Sequence, residues 1–316
     1  MKRLCHTLLC VIFVVLFTHQ PFAQNKDNDV LRILAIGNSF SDDAMEYLPV
    51  LLENLEIKNV ELARLYVGGC SLERHLSYYT KNEAPYVFTS SQAGENRWVE
   101  SKERYSLQRA LSSGEWDIIT LQQQSGPSGI YDSFEPYLGE LIKIIKQKQP
   151  HARIAWHMTW SYSSNSRHND FARYDKNSQK MLEAIHSATC SAQEAHPEIE
   201  IIIPAGTAIQ SLRNSAINNH PKDLTRDGYH MGYGAGRYTL ACTWYETLIE
   251  PYTNTSMIGN TLRINKGSVA VTPIVAAYCQ KAAKMANRKK YVVKEVKHIG
   301  RYLNKANKRK SHKVIE

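Results

Sequence analysis

Ser39, Asp227 and His230 are the residues of this 316-residue chain whose types and order could assemble a nucleophilic site. Ser39 stands in Gly37-Asn38-Ser39-Phe40-Ser41, after a short apolar run and where a helical pattern begins. A serine between a tight turn and a helix N-terminus has an exposed hydroxyl and an outward N–H, which suits a nucleophile that must also bind the oxyanion it creates. Serine and asparagine are also common helix caps, so Ser39 read alone has two meanings. Asp227-Gly228-Tyr229-His230 narrows them. A carboxylate three residues before an imidazole can hold Nδ1–H while Nε2 accepts a serine proton. The competing reading of that pair is a helix-capping aspartate beside a half-buried ring.

Two further segments follow strand-like runs and could complete such a site. Gly68-Gly69-Cys70-Ser71 offers backbone N–H groups next to a capping serine, and Leu121-Gln122-Gln123-Gln124-Ser125 offers carboxamides. Because side chains alternate across a sheet, Gln123 is preferred over Gln122 and Gln124 as the one that faces such a site, and Gln122 and Gln124 are candidate pocket residues; the alternative is a polar strand end that satisfies only local backbone. His157 and Trp160, in Trp156-His157-Met158-Thr159-Trp160, also follow a strand end and are candidates to line a pocket, with packing in an aromatic cluster the preferred reading of His157. Asp42 and Asp43 are expected to act on a helix N-terminus electrostatically. No cysteine or histidine spacing resembles a metal site, and no phosphate-cradling glycine loop is present, so no metal or cofactor is expected.

The elements that would position these residues alternate. Apolar runs at 30–36, 59–67, 116–121, 152–157 and 199–203 have strand length, and helical periodicity appears over 42–53, 72–79, 106–111, 137–147, 171–195 and in the segment after Asp227. Tyr86 to Ser101 reads as an inserted hairpin. Alternation of this kind implies an α/β fold with a parallel sheet between helical layers, and sites beyond the carboxyl ends of its strands.

With the blocks Ile36-Gly37-Asn38-Ser39-Phe40-Ser41, Gly68-Gly69-Cys70-Ser71-Leu72 and Asp227-Gly228-Tyr229-His230 in this order, the chain resembles the SGNH (GDSL-type) hydrolases, in particular a secreted branch from carbohydrate-degrading bacteria. The resemblance runs from about Leu31 to Glu250. It implies a flavodoxin-like three-layer α/β/α sandwich and ester hydrolysis through an acyl-enzyme without a metal. It also implies Ser39 as nucleophile, Asp227 and His230 as acid and base, and an oxyanion hole of Ser39, Gly69 and a third amide donor, for which Gln123 is preferred and Gln122 and Gln124 are the less favoured choices. Two departures stand out. Asn38 replaces the aspartate of the usual Gly-Asp-Ser, and the Gln122-Gln123-Gln124 run stands where the family commonly has Gly-x-Asn-Asp. The implied substrate is an O-acetyl group on carbohydrate; lipid or aryl esters, acyl transfer, and a non-catalytic carbohydrate-binding protein on the same scaffold are the alternatives.

Composition sets the outer bounds. A hydrophobic fraction of 43% with 22% charged residues is ordinary globular usage and excludes wholesale disorder or a polytopic membrane protein. The net charge of +9 is concentrated: residues 281–316 hold thirteen lysines and arginines against two glutamates, so the preceding residues sum to −2. Nucleic-acid binding by the main fold is therefore not expected. Lys2-Arg3, the apolar run Leu8 to Phe17 and Pro21-Phe22-Ala23 read as a signal peptide over residues 1–23, implying export to the periplasm or beyond with no transmembrane anchor left in the mature protein. Residues 30–280 are expected to form the hydrolase-like domain and 281–316 a basic appendage. Cys70, Cys190, Cys242 and Cys279 match no zinc spacing and are expected to be free and buried rather than paired.

Overall fold

The computed structural model describes residues 30–307 and 313–315; the expected signal peptide lies outside them. The described residues open with β1 (Leu31–Gly37), α1 (Ser39–Met45) and α2 (Leu48–Asn54), then β2 (Val60–Tyr66) and α3 (Leu72–Thr80). The inserted hairpin is β3 (Val87–Ser91) with β4 (Val99–Glu100), followed by α4 (Leu107–Leu111) and β5 (Ile118–Leu121). The second half runs α5 (Tyr137–Lys148), β6 (Arg153–His157), α6 (Ser178–Ala195), β7 (Ile199–Ile203), α7 (Ala205–Arg213) and α8 (Ala235–Trp244). A π-turn at Tyr245–Ile249 leads into α9 (Glu250–Thr253), then β8 (Leu262–Ile264), α10 (Pro273–Arg288), α11 (Gly300–Asn307) and β9 (Lys313–Ile315).

The sheet order is β4-β3-β2-β1-β5-β6-β7, with every pairing parallel except those of β3, which is antiparallel to both β2 and β4 at one edge. Ile33, Leu34, Ala35 and Ile36 of β1 are fully buried, as a central strand covered on both faces requires. Helices α1, α7, α8 and α10 pack on one another as one layer, and α3, α4 and α5 as another. This is the expected α/β/α architecture. Chain order moves outward from β1 to β2, β3 and β4, then returns to the other side of β1 with β5. The crevice above β1 is thus a topological switch point, where the loops after β1, β2 and β5 converge.

Local chemistry explains the helix ends. Ser71 and Ser106 cap α3 and α4 by accepting from Arg74 N–H and Arg109 N–H. The single helix expected over 171–195 is broken. Asp175 and Lys176 adopt positive φ, and Asn177 restarts the helix by accepting from the N–H groups of Gln179 and Lys180. The helix expected over 42–53 likewise divides at Glu46–Tyr47, with Pro49 in the first turn of α2. Among the described residues no helix is long and apolar enough to cross a membrane.

The expected domain boundary after residue 280 falls inside α10. Ala282, Ala283 and Ala286 are buried there with Ala276, Ala277 and Cys279, so the basic residues of this stretch are the outer face of a packed helix. β9 then pairs in parallel with β8, which places part of the appendage against the body. Ala283→Glu, which buries an unpaired charge, is expected to lower the unfolding free energy by about 3 kcal/mol in urea titration. A change within a few tenths of a kcal/mol would mean that residues beyond 280 do not belong to the core.

Candidate active site

Ser39 opens α1, so its N–H has no acceptor within the helix. The turn that presents it is compressed. A Cβ on Gly37 would lie 2.4 Å from Ser41 Oγ and 3.3 Å from Gln122 Cδ, which is why a glycine ends β1. His230 Nε2 lies 2.8 Å from Ser39 Oγ, and His230 Nδ1 lies 2.6 Å from Asp227 Oδ2. The other carboxylate oxygen of Asp227 accepts from the N–H groups of Tyr229 (3.2 Å) and His230 (2.8 Å), so the carboxylate shapes its own turn as well as orienting the ring. Partial burial pushes the Asp227 carboxyl up, but the hydrogen bonds from the His230 side chain and from these two N–H groups outweigh it, and its pKa falls below the ordinary value. The carboxylate is therefore ionised at neutral pH, as a group that holds Nδ1–H must be.

Asn38 is the hub beneath the serine. Its Oδ1 accepts from Phe40 N–H (3.0 Å) and from Gln122 Nε2 (2.7 Å), while its Nδ2 donates to Cys70 O (2.9 Å). The last bond ties the exposed Gly68-Gly69 tip to the serine turn. An aspartate could not donate that bond, so the departure from Gly-Asp-Ser has a defined role. Behind Gln122, its Oε1 accepts from His157 Nδ1 at 2.8 Å. His157 is fully buried, its Nε2 has no hydrogen-bond partner among the described residues, and burial lowers its pKa to about 3.

The glutamine assignment needs correction. Gln123 Nε2 donates to the carbonyl and hydroxyl oxygens of Ser133, and its Oε1 accepts from Leu72 N–H and Gln124 N–H. That carboxamide braces three segments and is not left to bind an oxyanion. Gln122 is buried beneath Asn38, so it lines no pocket either; Gln124 is half-buried, and its carboxamide makes no hydrogen bond among the described residues. Trp160 is likewise no pocket wall. It is buried, stacks on Phe40 with ring centroids 4.1 Å apart, and donates from Nε1 to Tyr229 O at 2.7 Å. His157 and Trp160 thus support the site from behind. All four cysteines are free; Cys70, Cys242 and Cys279 are buried and Cys190 is half-buried.

Charged residues clamp the two halves of the site. Asp43, buried within α1, accepts from Met231 N–H at 2.7 Å and pairs with Arg226 (3.0 Å) and Arg237 (2.5 Å). Burial raises its pKa despite the pull of both arginines. Asp42 pairs with Arg64 at 2.6 Å, and Arg237 also reaches Glu46 at 2.6 Å. Asp42 lies in the first turn of α1, where its charge was expected to act, whereas Asp43 is a partner of the 226–231 segment. Among the described residues no three His, Cys, Asp or Glu side chains are grouped as metal ligands would be.

Asp43→Ala leaves two arginines without their buried partner and is expected to cost about 3 kcal/mol in chemical denaturation; a loss below about 1 kcal/mol would contradict the clamp. His157 makes stability pH-dependent with a definite sign. Its pKa in the fold, about 3, lies below the ordinary 6.5, so between these values the unfolded chain binds the extra proton and stability falls as pH falls. Denaturation of His157→Gln should therefore show an acid slope smaller by about 1.4 kcal/mol per pH unit over that interval than the parent protein. An unchanged slope would mean that His157 is protonated in the fold.

A DUF4886 family protein from Bacteroides uniformis is similar to this chain at 36% identity, over 85% of this chain and 98% of its own, with a TM-score of 0.75. A candidate SGNH hydrolase from Slackia heliotrinireducens is similar over 69% of this chain and 99% of its own, at 19% identity and a TM-score of 0.49. An acetylxylan esterase from Geobacillus stearothermophilus is similar over 69% and 94%, at 12% identity and a TM-score of 0.46. No curated protein matches the chain. The family described as a domain of unknown function, DUF4886, matches residues 32–296, and the chain belongs to it.

Proposed function

We propose that this protein is an exported serine esterase that removes acyl groups, first among them O-acetyl groups of carbohydrates, through an acyl-enzyme on Ser39. The observation that carries the reading is the continuous line from Asp227 Oδ2 through His230 to Ser39 Oγ, with hydrogen-bond separations of 2.6 and 2.8 Å. His230 Nε2 takes the hydroxyl proton as Oγ attacks the ester carbonyl, and Asp227 stabilises the imidazolium that forms. The Ser39 N–H and the N–H of Gly69 stabilise the tetrahedral oxyanion, each good donor contributing about 3 kcal/mol. Gln124 is the glutamine of the run whose amide remains uncommitted, which makes it the candidate for a third donor. His230 then protonates the leaving alcohol, water attacks the acyl-enzyme with His230 as base, and the acid leaves. The acetyl group and the carbohydrate rest on the sequence resemblance together with the N-terminal export signal.

Hydrolysis of p-nitrophenyl acetate and of acetylated oligosaccharides by the purified mature protein tests this. Ser39→Ala is expected to abolish turnover while thermal stability stays within about 1 kcal/mol of the parent, because a small hydroxyl is removed and the cap is provided by Asn38. Retained turnover in the variant would overturn the assignment of Ser39. Loss of stability in the variant with no turnover in the parent would leave Ser39 a purely structural residue of the turn.

A further inference from the structure

A cleft of about 270 Å³ opens beside the acid of the triad, lined by Asn165, Arg167, Lys222, Arg226, Asp227 and Gly228. Two chain segments form its walls, and they are braced against each other. Ser163 N–H donates to Gly228 O at 2.8 Å while its hydroxyl is shared between Asn165 Oδ1 (2.8 Å) and Gly228 O (3.1 Å), and Ser164 N–H and Oγ–H donate to the buried carboxylate of Asp223 at 2.8 and 2.5 Å. Gly228 has φ +98°, and a Cβ there would lie 2.9 Å from Ser166 Cα. The close approach of the 163–168 segment to the triad turn thus requires a glycine. Thr225 completes the second wall by accepting from Gly228 N–H while donating to Lys222 O.

The charges in the cleft are unbalanced in use. Its one acid is already satisfied, since both oxygens of Asp227 accept from the 229–230 segment. Among the described residues the side chains of Arg167 and Lys222 form no ion pair or hydrogen bond, and Arg226 uses only Nη1, on Asp43 and Met231 O. Two uncommitted cations, Arg167 and Lys222, on two braced walls, beside an Arg226 that is paired to Asp43 but keeps Nε and Nη2 out of any hydrogen bond among the described residues, are complementary to an oxyanion. The cleft borders Asp227, one imidazole and two hydrogen bonds from Ser39 Oγ.

Resting on the esterase reading, we propose that this cleft receives a carboxylate or sulfate on the carbohydrate part of the substrate, so that the preferred esters are those of acidic glycans. Arg167 and Lys222 are the specificity-determining cations, and Asn165 supplies a neutral polar contact at the rim.

The test uses mature Ser39→Ala protein, which should bind substrate without cleaving it, titrated calorimetrically with acetylated uronate, sulfated and neutral oligosaccharides of equal length. At least one acidic ligand is expected to bind about tenfold or more tightly than the neutral one, and whichever does so identifies the oxyanion. Adding Arg167→Ala and Lys222→Ala should remove that preference, and raised salt should weaken it in the parent. Equal affinity for acidic and neutral ligands, or a preference that survives both substitutions in a variant with unchanged circular dichroism, would overturn the proposal. Wild-type turnover on the same ligands separates the two readings. Acidic binding without turnover of any ester would fault the esterase and leave the cleft assignment standing, whereas turnover without acidic preference would fault the cleft alone.

Discussion

The arrangement depends on one long-range constraint: the segment carrying Asp227 and His230 must sit in register with the first turn of α1, although nearly two hundred residues separate them. Asp43 provides that register by accepting directly from the N–H of Met231, the residue after His230, and by holding Arg226 and Arg237. A buried carboxylate costs solvation energy, and here burial leaves its pKa raised even with two guanidinium groups against it. Such a cost is understandable where geometry to a few tenths of an ångström decides whether an imidazole reaches a hydroxyl. The Trp160 ring adds a second fix, stacking on Phe40 next to the serine and donating to Tyr229 O next to the histidine.

The second convergence is at the strand ends. Because β1 lies between β2 and β5, the loops after all three strands meet, and Asn38 is placed to bond to both neighbours at once. The line His157–Gln122–Asn38–Cys70 is thus a buried polar chain from the far side of the sheet to the Gly68-Gly69 tip. In a low-dielectric interior such a chain fixes side-chain orientation more firmly than its separate bonds would in water.

The strands and the meeting of Ser39, His230 and Asp227 were legible in the sequence because their signals are local: apolar runs of strand length, a glycine before a serine, an aspartate three residues before a histidine. The role of Gln123 was not. Alternation along a strand says which face a side chain takes, but not that Ser133 and the N–H of Leu72 would claim its carboxamide from elsewhere in the chain. His157 packs against Trp160 and Trp244, as the aromatic-cluster reading has it, whereas Trp160 is no pocket wall, since a strand end in sequence does not reveal whether the crevice above it is open or filled. Charge misled at the C-terminus, where the lysines of α10 hide an alanine face at helical spacing, Ala276, Ala283 and Ala286 among it. Asp43 left a trace that could have been used: an acid beyond the first turn of a helix gains little from the helix dipole, so its presence there points to a tertiary partner.

The central claim, that His230 makes Ser39 a nucleophile, is tested most directly by trapping the covalent intermediate. Mature protein mixed with an activated acetyl ester, quenched in acid and digested for peptide mass spectrometry, should carry an acetyl group on Ser39. The adduct should be absent from Ser39→Ala and greatly diminished in His230→Ala. An acetyl group found on other residues only, or the same labelling of Ser39 in the His230 variant, would contradict the account.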